Sequence, residues 1–207
     1  MLTSIHTAMT HEALDGHMSA RAVEIIVAAN LKQDNLQGQF GHDEYHFDNN
    51  AFDRAYAYVN EQRGHVLASL MSPGVLPAWI AFGRLTHAVQ DFYSHTSYVQ
   101  MWLAQYGKTP PPPAEIDPLQ KDIIESPDFY SAKVYLPWDV IYFIPGLRRL
   151  ALAFLPKDSH GAMNLDSPSQ GPWFDYARAA AVKRTVHEFQ LLEKILPPEM
   201  LGKFVGQ

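Results

Sequence analysis

The ten residues 86–95, THAVQDFYSH, carry the most legible chemistry in the chain, with His87, Asp91 and His95 at every fourth position. On a helix each four-residue step rotates by only ~40°, so the three side chains share one side, ~6 Å of rise apart. All three are metal-ligand types. The plainer alternative is a core helix whose His and Asp hydrogen-bond one another. Yet Leu85, Ala88, Val89 and Phe92 make the rest of that helix apolar. A carboxylate buried there between two imidazoles needs compensation, and a cation supplies it efficiently. From the middle, Asp91 can bridge two ions ~3.5–4 Å apart, with His87 serving one and His95 the other.

Three more groups offer the same residue types. The polar, glycine-containing stretch 31–48 holds Asp34, His42, Asp43, His46 and Asp48, and loop ligands can converge where one helix face cannot. Turn and cap chemistry is the competing reading, with Asp48 or Asn49 capping the helix that restarts at Phe52. The string DSHGAMNLDSP places His160, Asn164 and Asp166 in a short loop, and the N-terminus offers His6 and His11. His17, His65 and His187 lack a matching second ligand and read as surface or satisfied core histidines.

Composition narrows the classes. Ten histidines in 207 residues are about twice a typical share, which favours a His/Asp metal site. The absence of cysteine excludes disulfides, thiolate-bound zinc, iron–sulfur clusters and thiol catalysis. A net charge of −6 disfavours nucleic acid as a partner. With 47% hydrophobic residues the chain can bury a sizeable core, and its length favours a single domain spanning 1–207. The opening MLTSIHTAMTHEALDG has no basic region followed by an apolar run. No signal peptide is therefore expected, leaving a cytoplasmic location or export by a route not visible here.

The elements that must position these groups read as helices, so the expected fold is all-α, a compact multi-helix bundle. One helix is expected over 10–30, ending near Asn30. A second runs from Phe52 to about Leu70 and is broken by Ser72-Pro73-Gly74. The longest apolar-periodic segment runs from Pro77 to about Tyr106. Residues 107–118, with GKTPPPP, form an extended excursion rather than a helix. The apolar segment 134–156 is split at Pro145-Gly146 into pieces shorter than the ~20 residues of a membrane span. A last helix is expected from Pro172 to about Leu196, where Pro197-Pro198 stops it.

Together these strings resemble a known family. THAVQDFYSHTSYV, HFDNNAF, AANLKQD, HTAMTHEAL and HGAMNLDSP are similar, in order, to the fungal heterokaryon-incompatibility C group. That group is related to the zinc-dependent phospholipases C and the single-strand-specific zinc nucleases. The resemblance covers about residues 6–190. It implies an all-helical zinc phosphodiesterase with two or three ions. Asp34, His46, His87 and Asp91 would hold one zinc, Asp91 would bridge to a second ion, and His95 with His160 would hold another. His6 is the implied N-terminal ligand and His11 its rival. Two departures stand out. The related phospholipases bind zinc through a terminal tryptophan, whereas this chain starts Met1-Leu2-Thr3. They also place an acid four residues after the downstream histidine, where this chain has Asn164, with Asp166 two further on to supply the oxygen.

The implied reaction is hydrolysis of a phosphodiester by hydroxide generated at the metal ions. Asp91 would be catalytic as the shared ligand, and Asp48 would orient the water or assist the leaving group. The favoured substrate is a phospholipid at a membrane surface, because Tyr135, Trp138, Tyr142 and Phe143 lie beside Arg148 and Arg149 in the mixture found at bilayer interfaces. A core helix pair with two solvated arginines is the plainer reading of that segment, and docking on lipid requires it to be exposed. Two other functions stand beside the lipase: a zinc nuclease, and a non-catalytic zinc-binding helical protein of the incompatibility type.

Overall fold

The computed structural model describes residues 1–39, 41–144 and 146–207, and the side chains of all of these except Leu36 and Gln37. The chain is all-α, with only isolated bridges and no strand among the described residues. The single helix expected over 10–30 is two, α1 (Thr3–Leu14) and α2 (Ala20–Leu31). Gly16 takes a left-handed φ of 85° between them, and Ser19 caps α2 by accepting from the Ala22 amide. Alanine and glutamate run through both helices and hide this boundary in the composition.

The polar stretch 31–48 contains two short turns, α3 (Leu36–Gln39) and α4 (Asp43–His46), before α5 (Phe52–Leu70) begins where expected. After the Ser72-Pro73-Gly74 break come α6 (Leu76–His95) and α7 (Tyr98–Ala104). These two replace the one long segment expected to Tyr106. The break falls at Thr96, whose extended backbone bridges Ser131 and whose hydroxyl donates to Phe92 O at 2.7 Å. Residues 107–118 contain no α-helix, only a 3-10 turn at Pro113–Glu115.

Beyond α8 (Lys121–Ile124), the apolar segment forms α9 (Trp138–Tyr142) and α10 (Arg148–Phe154). Pro145, one half of the expected split, lies outside the described residues. The short α11 (His160–Met163) precedes α12 (Trp173–Ile195). A further helix, α13 (Pro198–Val205), follows where the double proline implied only a stop, because a proline also suits the first turn of a new helix. No helix among the described residues is long and apolar enough to cross a membrane.

Helix α6 is the axis of the structure. Sixteen of its twenty residues are buried, which marks a helix enclosed on all sides rather than an amphipathic surface one. Helices α2, α5 and α12 pack around it. Phe82, Leu85 and Tyr93 of α6 are fully buried, as are Ile26 of α2 and Phe189 of α12, each worth about 1.5–3 kcal/mol of transfer free energy. Gly83 permits the closest of these approaches. A Cβ there would collide with the Ile26 carbonyl oxygen and the Ala29 side chain. That contact brings Asn30, near the end of α2, against the polar stripe of α6.

Candidate metal centre

His87, Asp91 and His95 face the same side of α6 and are all buried. Around Asp91, α1 contributes His6, the stretch after α2 contributes Asp34, and α4 contributes His46. The distances are those of converging ligands. His46 Nδ1 lies 2.9 Å and His87 Nε2 3.1 Å from Asp91 Oδ2, with 3.2 Å between the two nitrogens and 3.6 Å from His87 Nε2 to Asp34 Oδ1. Zinc–ligand bonds of ~2.0–2.2 Å imply donor separations of about 3.3–3.6 Å around a tetrahedron; the His87–Asp34 pair already has that spacing, and the three shorter ones, at hydrogen-bond length, would open by a few tenths of an ångström. Asp34, His46, His87 and Asp91 thus form one possible metal-holding set.

Second partners decide which ring nitrogen carries the proton. Asn30 donates its amide N–H groups to Thr86 Oγ1 and Gln90 Oε1, so its own carbonyl oxygen is left to accept from His87 Nδ1 at 3.3 Å. Gln90 likewise donates to Thr10 and Thr185, and its oxygen accepts from His6 Nδ1 at 2.7 Å. His46 donates Nε2–H to the Gly38 carbonyl and His95 donates Nδ1–H to the His46 carbonyl. These assignments follow from the network. In its neutral form each ring then turns a lone pair toward a carboxylate: His6, His46 and His87 toward Asp91, and His95 toward Asp166 at 3.1 Å. A lone pair facing an anion is repulsive unless a cation lies between them. His6 Nε2 shows the consequence. Fully buried, it makes no hydrogen bond even though Asp91 Oδ1 is 3.2 Å away.

A second set surrounds His95. Asp48 lies 3.6 Å from His95 Nδ1 and 3.1 Å from His160 Nδ1, and these three form the other possible metal-holding group. Asp166 closes the far side, 3.1 Å from His95 Nε2 and 3.9 Å from His160 Nε2, and accepts from Ser94 Oγ at 2.5 Å. Asp48 therefore stands between two imidazoles, a ligand position, and neither it nor Asn49 caps α5. The Met1 amino group sits between the sets, 2.5 Å from Asp91 Oδ1 and 3.3 Å from Asp166 Oδ1.

A strained turn separates His46 from Asp48. Phe47, Asn49 and Asn50 all have φ between 54° and 57°, in the left-handed region that asparagine tolerates and a buried Phe does not. Such residues cost roughly 1–3 kcal/mol each and persist where surroundings enforce them. The Ser131 region does so here. Asn50 Oδ1 accepts from the Ser131 amide, Ser131 Oγ accepts from the Asn50 amide, and Asn49 is paired to Ala132 and Val134. The turn sends His46 into one set and Asp48 into the other.

The charges fit this arrangement. Burial alone would raise the Asp91 carboxyl, but the Met1 amine and surrounding imidazoles hold it well below the usual range, and Asp166 is held down similarly. Burial also lowers His87, to about 4, and lowers His6. His46 and His160 are raised against burial, by Asp91 and Asp48 respectively. Among the described residues no lysine or arginine pairs with Asp34, Asp48, Asp91 or Asp166; their partners are imidazoles and the Met1 amine.

Some expected residues stay outside. His11 lies five residues from His6, ~140° around the helix; it is half-buried and pairs with Asp15 and Glu24. His42 and Asp43 turn outward to Glu44 and Arg54; His42, Glu44 and Arg54 line a separate cavity of about 890 Å³ that also includes Tyr45 and Arg84. Asn164 faces away from both sets, donating to the His160 and Gly161 carbonyls, so Asp166 is the oxygen that reaches His95. Sequence reasoning missed Asn30, Thr10, Gln90 and Thr185, the residues that orient the rings. The available signal was an Asn and a Gln on otherwise apolar helix faces.

Fold and site together define an all-helical protein with two adjoining His/Asp donor sets. Residues 1–117, more than half the chain, match the family model described as the VWA7 N-terminal domain, and the chain belongs to that family. No curated protein and no solved structure matches it.

Proposed function

We propose that the chain is a zinc-dependent phosphodiester hydrolase acting on phospholipid. The observation that carries this reading is the set of tethered imidazoles whose other nitrogens face Asp91 and Asp166. The donors fit zinc: nitrogen and carboxylate oxygen, no sulfur, and an orphaned buried nitrogen on His6. Asp34, His46, His87 and Asp91 would hold one ion. Asp48, His95, His160 and Asp166 would hold another, and Asp91 Oδ1 with His6 Nε2 offers a third position. When bound, zinc would polarise a phosphoryl oxygen and make hydroxide available near neutral pH.

The chain's own residues set the rest. Asn30, Gln90 and two carbonyls fix the ring tautomers, so the donors are pre-organised. Four carboxylates with no lysine or arginine partner repel a phosphate, and bound cations reverse that sign. The least buried donors are Asp34, with a fifth of its side chain exposed, and then His160, while His6, His87 and Asp91 are sealed. Substrate therefore approaches from the side of Asp34 and α11. The test is hydrolysis of phosphatidylcholine vesicles and single-stranded DNA, side by side, by zinc-loaded protein, with and without chelator. Chelator-sensitive release of phosphorylated headgroup supports the reading. Hydrolysis of DNA alone favours a nuclease, and zinc binding without turnover favours a structural role.

A further inference from the structure

The segment around α9 and α10 is set apart by what it exposes. Nine of the sixteen large exposed hydrophobics among the described residues fall within 134–154. Leu136 is 65% exposed, Phe143 and Phe154 57%, and Leu150 51%. Core packing does not account for them, since the buried residues of α9 and α10 are only Asp139, Tyr142 and Ala151. The bordering charge is basic. Lys133, Arg148, Arg149 and Lys157 face only Asp139 and Asp158 across 133–158, in a chain whose sum is −6. Asp139 is buried and accepts from the Gly161 amide, while Asp158 is tied to Lys133.

The ridge adjoins the metal centre. The Phe143 ring lies 5.7 Å from the His160 ring, and the Asp139–Gly161 hydrogen bond of 2.7 Å fastens α9 to α11. Apolar tips with a basic border suit the headgroup boundary of a bilayer, into which such elements sink ~5–10 Å, and the cations favour anionic lipid. No helix among the described residues is long and apolar enough to cross a bilayer.

We propose that the 134–154 segment docks this protein on an anionic phospholipid surface and holds the mouth of the metal centre at the level of the lipid phosphates. In naming lipid as what reaches the site, the proposal rests on the reading above, but docking needs no turnover. The experiment is flotation of metal-stripped protein with phosphatidylcholine vesicles containing or lacking phosphatidylserine. The wild type is compared with Leu147→Glu/Leu150→Glu, two exposed positions on α10 and its N-terminal flank. Sedimentation velocity of both proteins is run without lipid. The expected result is binding that increases with phosphatidylserine and falls about tenfold or more in the double variant, with the same melting temperature and the same zinc content after reloading. Absence of vesicle binding by the wild type overturns the proposal, as does equal binding to both vesicle types. A wild-type dimer that becomes a monomer in the double variant also overturns it, making the ridge a self-interface. Vesicle binding by a protein that hydrolyses no phospholipid supports docking while refuting the lipase reading.

Discussion

Replacing Asp91 with asparagine removes the group shared by the Asp34/His46/His87 position and the position at His6 while keeping its shape. In the metal-free protein Asp91 is fully buried. It accepts from the Met1 amine at 2.5 Å, lies 2.9 Å from His46 Nδ1, and stands within 3.2 Å of His6 and His87. Breaking a buried, paired charge costs about 3–5 kcal/mol. At ~2–4 °C per kcal/mol for a chain this long, Asp91→Asn should lower the melting temperature by about 6–20 °C, nearer the low end because the new amide can donate to one ring nitrogen. Zinc adds a second contrast. At a hundredfold excess over the dissociation constant, a ligand bound only by the folded state adds about 2.7 kcal/mol. The wild type should then gain about 5–11 °C on zinc addition, and the variant less than half as much. The assay is differential scanning calorimetry of chelator-treated protein with and without zinc. An Asp91→Asn protein showing the full zinc-dependent gain would refute the shared-ligand geometry.

Other expectations follow from the surrounding residues. Asn30→Ala should weaken zinc affinity roughly 10–100-fold by freeing the His87 tautomer, measured by competition with a chromogenic chelator; unchanged affinity would dissociate Asn30 from ring orientation. Glu188→Gln disrupts a buried carboxylate held by Arg63 at 2.6 Å and Arg184 at 2.8 Å. It should cost about 3 kcal/mol of stability and leave zinc content unchanged, so metal loss in that variant would show that destabilisation alone empties the site. The zinc-induced gain in melting temperature should grow between about pH 6 and 8. His46 and His160 are raised, so their protons stabilise the metal-free fold fully below about pH 6.5, a contribution lost as the pH rises through the folded values, while zinc needs both rings neutral. A gain that is flat or falls with pH would contradict this linkage.

Much of the architecture was legible because hydrophobic period and proline placement are local signals. The helix from Phe52, the break at Ser72-Pro73-Gly74 and the long helix after Pro172 all appear as such. The gap at Gly16 and the break at Thr96 were hidden, because each depends on a backbone conformation rather than on a change of composition. The stripe on α6 followed from spacing alone. Its partners from α1 and the loops required tertiary approach, which Gly83 and the left-handed turn at Phe47 provide. Choosing His6 over His11 needed the direction in which α1 faces, and choosing Asp166 over Asn164 needed the hydrogen bonds of α11.

The most direct test of the central claim is metal content per chain, by mass spectrometry, of wild-type protein purified at neutral pH without chelator. Two or three zinc ions per chain are predicted, with His11→Ala unchanged. A protein that is metal-free and takes up no zinc would contradict the account, leaving His6, His46, His87 and Asp91 as a buried polar cluster held by protons alone.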